Sequence, residues 1–499
     1  MAAASPRKSP ADEKSYILEG HAQSPVDQQG PSSSPHGSID DTQNLVPPES
    51  QSKEKTNLSM ASFNYINSII GSGVIGMPYA LHQAGFGLGL VLLLLMAVVT
   101  DYSLVLMVRG AHLAAGRAGL IGTDGGFSYP GLVYAAFGQA GYLFLAALQF
   151  IYPFIAMVSY NIIVGDTLTK VVARALGEEE STLTFFAHRE VLVAIATITV
   201  TGPLCLCRDV ARLARASLLS LGCVLFILIC LFVREGTMNT IVPTTDDAWQ
   251  FANTGIVPAI GIMAFAFMCH HNTFLLYESI EGADQSRWDK VTHASVATAF
   301  IVSLTFGVVG YATFTGLSQG DLLENYCWDD DLMNVARVLF CATILLTFPI
   351  ECFVTRDVIT SVLLPALSTL GHRIIPLAEA SQAWHVSVTL ALLLLTYLLS
   401  MTTDCLGIVL ELNGVLAAVP LAYILPALTY CKLEDGPLLG SQKLPALATA
   451  VFGIGVAILG VVSIAVDFER ASQCSHGIDM PYCIKDSASN TTSNYTLVN

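Results

Sequence analysis

The chain predicts an all-α polytopic membrane protein, on three observations. Of its 499 residues, 53% are hydrophobic and 12% charged, where soluble chains carry about 25% charged residues. Apolar runs long enough to cross a hydrocarbon core, about 20 residues each, recur eleven times. The first of these runs is interrupted at its centre by Gly71-Ser72-Gly73, and again by Gly76 and Pro78. A helix in lipid must satisfy every backbone amide and carbonyl internally, and a break survives only where it is buried in protein or lines a cavity. Helices broken in this way are how secondary transporters present helix ends and bare carbonyls to solute and ion.

The runs fall near 60–84, 86–108, 140–164, 190–207, 214–233 and 254–272, then 292–314, 334–354, 384–402, 405–429 and 446–466. Eleven is odd, so the termini lie on opposite sides. Most of the 23 Lys and Arg residues, Arg208, Arg212 and Arg215 among them, fall in cytoplasmic segments if the N-terminus is inside, as the positive-inside rule requires. The net charge of −16 sits largely in outer loops, as at Glu178-Glu179-Glu180 and Asp329-Asp330-Asp331. Such loops read as solvated surface, or as a field that draws cations to the outer mouth. No basic patch suits nucleic acid.

Residues 1–57 are rich in Ser, Pro, Gln and Asp without apolar periodicity, the composition of a disordered cytosolic tail that could engage cytosolic partners. Residues 58–466 form the membrane domain in contact with lipid. The remainder, 467–499, is an outer tail carrying Asn490-Thr491-Thr492 and Asn494-Tyr495-Thr496, two glycosylation acceptors. Cys474 and Cys483 share that tail and could close a disulfide in an oxidising compartment. Cys327 and Cys405 also face outward, and spacing does not say whether they pair.

Five runs precede the loop at 234–253, and five follow it before a final eleventh. The first of the second set, Ile260 to Glu278, turns abruptly polar at His270-His271-Asn272. Irregular helices at positions one and six are what an inverted five-plus-five repeat produces. Residues 128–138 read as a short amphipathic helix along the inner interface.

Several residues could carry the chemistry. The amides of Gly71, Ser72 and Gly73 open a half-helix whose N-terminal end suits a carboxylate, although small residues also pack helices closely. Asn67, one turn earlier, offers an oxygen to a hard cation or makes an interhelical bond. The Ile70 carbonyl, freed by unwinding, is a second candidate ligand. Thr343 and Thr347 share a face of the eighth run ahead of Pro349; Thr in such helices most often bonds its own i−4 carbonyl. Of the acidic residues within runs, which are costly and usually functional, Glu411 is the deepest and could relay a proton or tune an ion site. Glu351 lies nearer the inner end, where solvation accounts for it. His270 or His271 could confer pH sensitivity or be structural. No nucleophile elbow, phosphate loop or zinc spacing argues for an enzyme.

The stretch Asn67 to Gly76 resembles the first-helix signature of the sodium-coupled neutral amino acid transporters, within the amino acid/auxin permease superfamily. Phe265 to His270 with Tyr277-Glu278 resembles that family's sixth helix, and Leu346-Thr347-Phe348-Pro349 with Arg356 its eighth. The resemblance, over about 58–466, implies an eleven-helix inverted repeat like that of the bacterial leucine transporter. Asn67 and Thr347 match that family's sodium positions, with Ile70 beside them, and Phe267 would shape the side-chain pocket. The family's disulfide between outer loops cannot form, because 234–253 holds no cysteine, which leaves Cys327 without that partner. The expectation is therefore sodium-driven symport of a neutral amino acid, with sodium as the co-transported ion, at the plasma membrane in preference to the lysosome. Proton coupling through Glu411, or an amino acid sensor acting through its N-terminal tail, is the alternative.

Overall fold

The structure, a computed structural model, describes residues 56–118, 127–177, 188–207, 217–238, 240–246, 248–363, 382–403, 405–466, 480 and 482–483. Asn490, Asn494 and Cys474 lie outside the described residues, as do the first 55. Among the described residues the chain is helical, with one isolated bridge between Thr56 and Ile280.

The first broken run comprises α1 (Leu58–Ile69) and α2 (Met77–Ala84), joined by a 3₁₀ turn at Ser72–Gly76. Then come α3 (Phe86–Ala118), α4 (Tyr129–Leu176), α5 (Arg189–Leu206) and α6 (Ser217–Met238). The second broken run is α7 (Ile256–Ala266), a 3₁₀ turn at His270–Asn272, and α8 (Thr273–Ser279). It is followed by α9 (Gln285–Phe314), α10 (Asp331–Val358), α11 (Gln382–Ser400), α12 (Leu406–Leu433) and α13 (Leu444–Val466). A broken helix and four further spans thus occur twice before a last helix. Ten helices among the described residues are long and apolar enough to span a membrane. The second broken run counts among them as Ile256–Ser279, and the segment from Leu58 to Ala84 does not. Apolar side chains such as Ile198, Leu394, Ile458 and Val462 point out of the bundle, the surface a lipid-embedded protein presents.

Helix ends follow local chemistry that hydropathy does not read. Asn57 caps α1 by accepting from the Met60 amide at 2.8 Å, Asp284 caps α9 at Arg287 N (2.7 Å), and Asp330 caps α10 at Met333 N (3.1 Å). Each such cap stabilises a helix by about 1 kcal/mol. Because Asp284 starts α9, that helix gains two polar turns ahead of the apolar run expected at 292. The third run likewise outgrows 140–164, since α4 continues to Leu176. Its N-terminal portion is the helix expected at 128–138, set off by a kink at Gly138 (φ 64°, ψ −153°), a backbone shape that glycine adopts without penalty.

The two broken helices lie against each other. α7 packs along α2 and the Ser72–Gly76 turn, while α8 packs along α1. α9 runs beside α1, α2 and α3, and α4 and α10 form the most extensive helix pair.

One end of the bundle is covered by the segment 315–330, which joins α9 to α10 and contains a 3₁₀ turn at Leu322–Asn325. A Cβ on Gly320 would strike the backbone of Gly407 at the start of α12, so this lid reaches down between the helices. Arg337, fully buried, donates to the carbonyls of Leu323 (2.7 Å), Tyr326 and Cys327. Lys170 binds the Glu324 carboxylate (3.1 Å) and its carbonyl (2.6 Å). The expected tail disulfide is corrected here. Cys483 pairs with Cys327, not with Cys474, and Cys327 thereby gains a partner that the short loop at 234–253 could not supply. Tyr482 reinforces the link by donating to the Asn325 carbonyl at 2.7 Å and stacking on Phe314. The lid brings Cys327 to the tail through the fold, which sequence proximity cannot anticipate.

Candidate functional site

The backbone leaves the helix at Ile70, whose φ −79° and ψ 95° are extended; its carbonyl therefore turns out of the helical ladder. Gly71 is also extended and exposed, and a Cβ there would meet nothing within 4 Å. Flanked by buried Ile69, Ile70 and Ser72, Gly71 opens onto space inside the bundle. Gly73 is the opposite case. A Cβ at that position would lie 2.7 Å from Ala266 Cα and 2.8 Å from Ala266 Cβ. Only a residue without a side chain allows the first break to touch the end of α7 where the second break begins.

Polar side chains bridge the two breaks. The Tyr65 hydroxyl lies 3.0 Å from Thr273 Oγ1 and accepts from Cys269 Sγ at 3.4 Å. Asn272 donates to Ser68 Oγ at 2.8 Å. Buried Asn67 Oδ1 has no hydrogen-bond partner, and neither does either ring nitrogen of fully buried His270. An unpaired buried acceptor costs about 1–3 kcal/mol, so a group that accepts nothing from protein one turn before the break fits a cation as ligand. The same holds for the Ile70 carbonyl by its direction.

Phe267 is the first residue past α7 and is 1% exposed. Thr347 donates to the Thr343 carbonyl at 2.8 Å, the i−4 bond that its chemistry favours, which leaves its oxygen lone pairs available. No hydrogen bond joins Thr347 to Asn67, and α1 and α10 are not among the principal packed pairs. Glu411 is buried in α12 with its backbone against Gly261 of α7, and its side chain lies near Tyr79 of α2.

Two tyrosines of α4 went unmarked by sequence reasoning. Tyr160 faces the Ser72 side chain and lies against Phe348 of α10 (6.4 Å between ring centroids). Tyr152 lies 5.8 Å from Phe265 and 5.9 Å from His271, touching both sides of the second break. Asn413 donates to its carbonyl at 3.1 Å. Tyr152 and Tyr160 are eight residues apart, two turns on one helix face; that spacing was the available signal, hidden in a run that read as uniformly apolar.

Two broken helices meeting inside a bundle, with unpaired polar atoms at the junction, define a helical membrane transporter. The chain belongs to the family described as transmembrane amino acid transporter protein, whose model matches residues 54–466. It is 44% identical to "Putative sodium-coupled neutral amino acid transporter 11" of Danio rerio, over 88% of this chain and 91% of that protein. The Homo sapiens protein of the same name is 41% identical over 82% of this chain and 94% of its own length. A more distant relative, vacuolar amino acid transporter 2 of Saccharomyces cerevisiae, is 27% identical over 85% of this chain and 87% of its own. Among solved structures, MhsT in complex with L-phenylalanine superposes with a TM-score of 0.50 at 12% identity, covering 81% of this chain and 99% of MhsT. At that identity the likeness concerns the fold alone.

Proposed function

We propose that this protein is a sodium-coupled symporter of neutral amino acids that works by alternating access. The observation that carries the reading is the junction at Gly73 and Ala266, with the unpaired Asn67 Oδ1 beside it. The amides of Gly71, Ser72 and Gly73 receive the substrate carboxylate, and Phe267 bounds the space for its side chain. Asn67 and Ile70 supply oxygens to sodium, with Thr347 joining them from α10 in the state that closes over the ion. Binding of both solutes rocks one helix set against the other and moves access from one face to the other. The relatives named for sodium-coupled neutral amino acid transport support this choice of ion and substrate.

In this reading the N-terminus is cytosolic and the lid end faces outward, with glycans on Asn490 and Asn494, at the plasma membrane. The N-terminal tail meets cytosolic partners. A second reading, proton coupling, is favoured by one observation, the burial of Glu411 beside α7. Purified protein in proteoliposomes tests both, with radiolabelled neutral amino acids and with sodium and proton gradients imposed separately. Sodium-driven uptake that Asn67→Ala abolishes is expected. Uptake indifferent to sodium and unchanged in Asn67→Ala sinks the proposal, and uptake driven by protons but lost in Glu411→Gln establishes the second reading.

A further inference from the structure

The two acidic residues near the site occupy different sides of it. Glu411 lies near Tyr79, in the half of the first broken helix nearer the lid. Glu351 lies on α10 four residues after Thr347, a rise of about 6 Å along the same helix face. Its carboxyl group lies near both Tyr152 and Tyr160 of α4. Tyr160 in turn lies beside Ser72 at the first break, and Tyr152 beside Phe265 and His271 at the second.

The local chain geometry fixes this placement. Thr347 bonds the Thr343 carbonyl, and Thr355 bonds the Glu351 carbonyl at 2.8 Å, so Thr343, Thr347, Glu351 and Thr355 form one stripe. Phe348, beside that stripe, lies against Tyr160 of α4. Glu351 is half-buried, and no side chain among the described residues hydrogen-bonds or ion-pairs with its carboxyl group. An acidic group inside a membrane helix bundle is costly and persists where a site or pathway uses its charge. The group lies within α10, near two buried tyrosines, and not at the helix end.

We propose that Glu351 is a specificity-determining anion of the cation path: its charge, one turn from Thr347, raises the affinity of that site for sodium without contacting the amino acid. The inference rests on the sodium-coupled reading. A unit charge at that distance, screened as near a protein surface, changes cation affinity about tenfold or more.

The test is uptake into proteoliposomes with sodium and amino acid varied independently. Glu351→Gln is expected to raise the half-saturating sodium concentration about tenfold, with the amino acid KM at saturating sodium changed less than twofold. An unmoved sodium curve, or a shift confined to the amino acid KM, overturns the inference while leaving sodium coupling intact. Wild-type uptake indifferent to sodium overturns the coupling and the inference together. Should Glu351→Gln fail to fold, carbodiimide labelling of the wild-type protein, read at Glu351 by mass spectrometry, decides. Labelling suppressed by sodium and not by N-methylglucamine supports the proposal; equal labelling in both overturns it.

Discussion

Cys327 and Cys483 are joined by a disulfide that closes 156 residues of chain and fastens the C-terminal tail to the lid over the helix junction. A cross-link of that span acts mainly by restricting the unfolded chain and contributes about 2–4 kcal/mol. Cys327→Ser, Cys483→Ser and the double variant should therefore lower Tm by the same amount, because each removes one shared bond. Thermal unfolding of the three purified proteins checks this. Losses that add in the double variant would show that the cysteines act independently.

Gly71 and Gly73, two residues apart, should respond oppositely to alanine. At Gly73 the added carbon meets the Ala266 backbone at 2.7 Å, and α7 must shift at a cost of about 1–3 kcal/mol. Gly73→Ala is expected to lower both Tm and uptake. At Gly71 the methyl enters open space, and the backbone there suits any residue. Gly71→Ala should keep its Tm and lose uptake through the solute site. A Gly73→Ala protein as stable as wild type would show that the two breaks do not touch.

The fold was legible because lipid leaves few options. Apolar length places each span, and glycine with proline in the first run locates its break. Asn67 and Ile70 could be singled out because a broken helix exposes them to something other than the ladder. Tyr152 and Tyr160 went unmarked and Glu351 was assigned to solvation, since their meaning comes from which faces of α4 and α10 meet, and hydropathy along one helix carries no record of its neighbour. The Cys327 partner was missed for the same reason. The link depends on a lid folded onto the bundle, 156 residues from the tail that completes it.

At the opposite end of the bundle, Thr56 pairs with the end of α8. Its amide donates to the Ser279 carbonyl (2.8 Å), its carbonyl accepts from Glu281 N (3.0 Å), and its hydroxyl donates to the Ser279 carbonyl (3.1 Å). Proline here removes the amide donor, a bond worth about 0.5–1.5 kcal/mol net. Thr56→Pro should accelerate hydrogen exchange at Glu281 several-fold, and Thr56→Ser should leave it near wild type. Equal exchange in all three proteins would mean that this pairing does not hold α8.

The lid also contains a carboxyl group that should make its packing depend on pH. Asp321 is 3% exposed; its Oδ1 accepts from Leu323 N at 2.8 Å, and its buried Oδ2 has no partner. Burial first, and the neighbouring Glu324 second, push it up to about 7, against the opposing pull of the Leu323 amide, Lys170 and Arg337. Asp166 of α4, itself paired with Arg189 at 2.7 Å, adds to the negative side. A carboxyl whose pKa is raised on packing binds its proton more tightly in the packed lid than in water. The packed lid is therefore most stable in acid, loses stability as pH rises from the ordinary carboxylate range to about 7, and changes little beyond. Asp321→Asn keeps an oxygen for Leu323 N and removes the charge. It should raise Tm at about pH 8, where wild-type Asp321 is ionised, and leave Tm nearly unchanged at about pH 5, where the wild-type proton is already bound. Thermal unfolding of both proteins across that range measures the difference. A Tm lowered equally at both pH values would show that Asp321 stabilises the lid as a carboxylate.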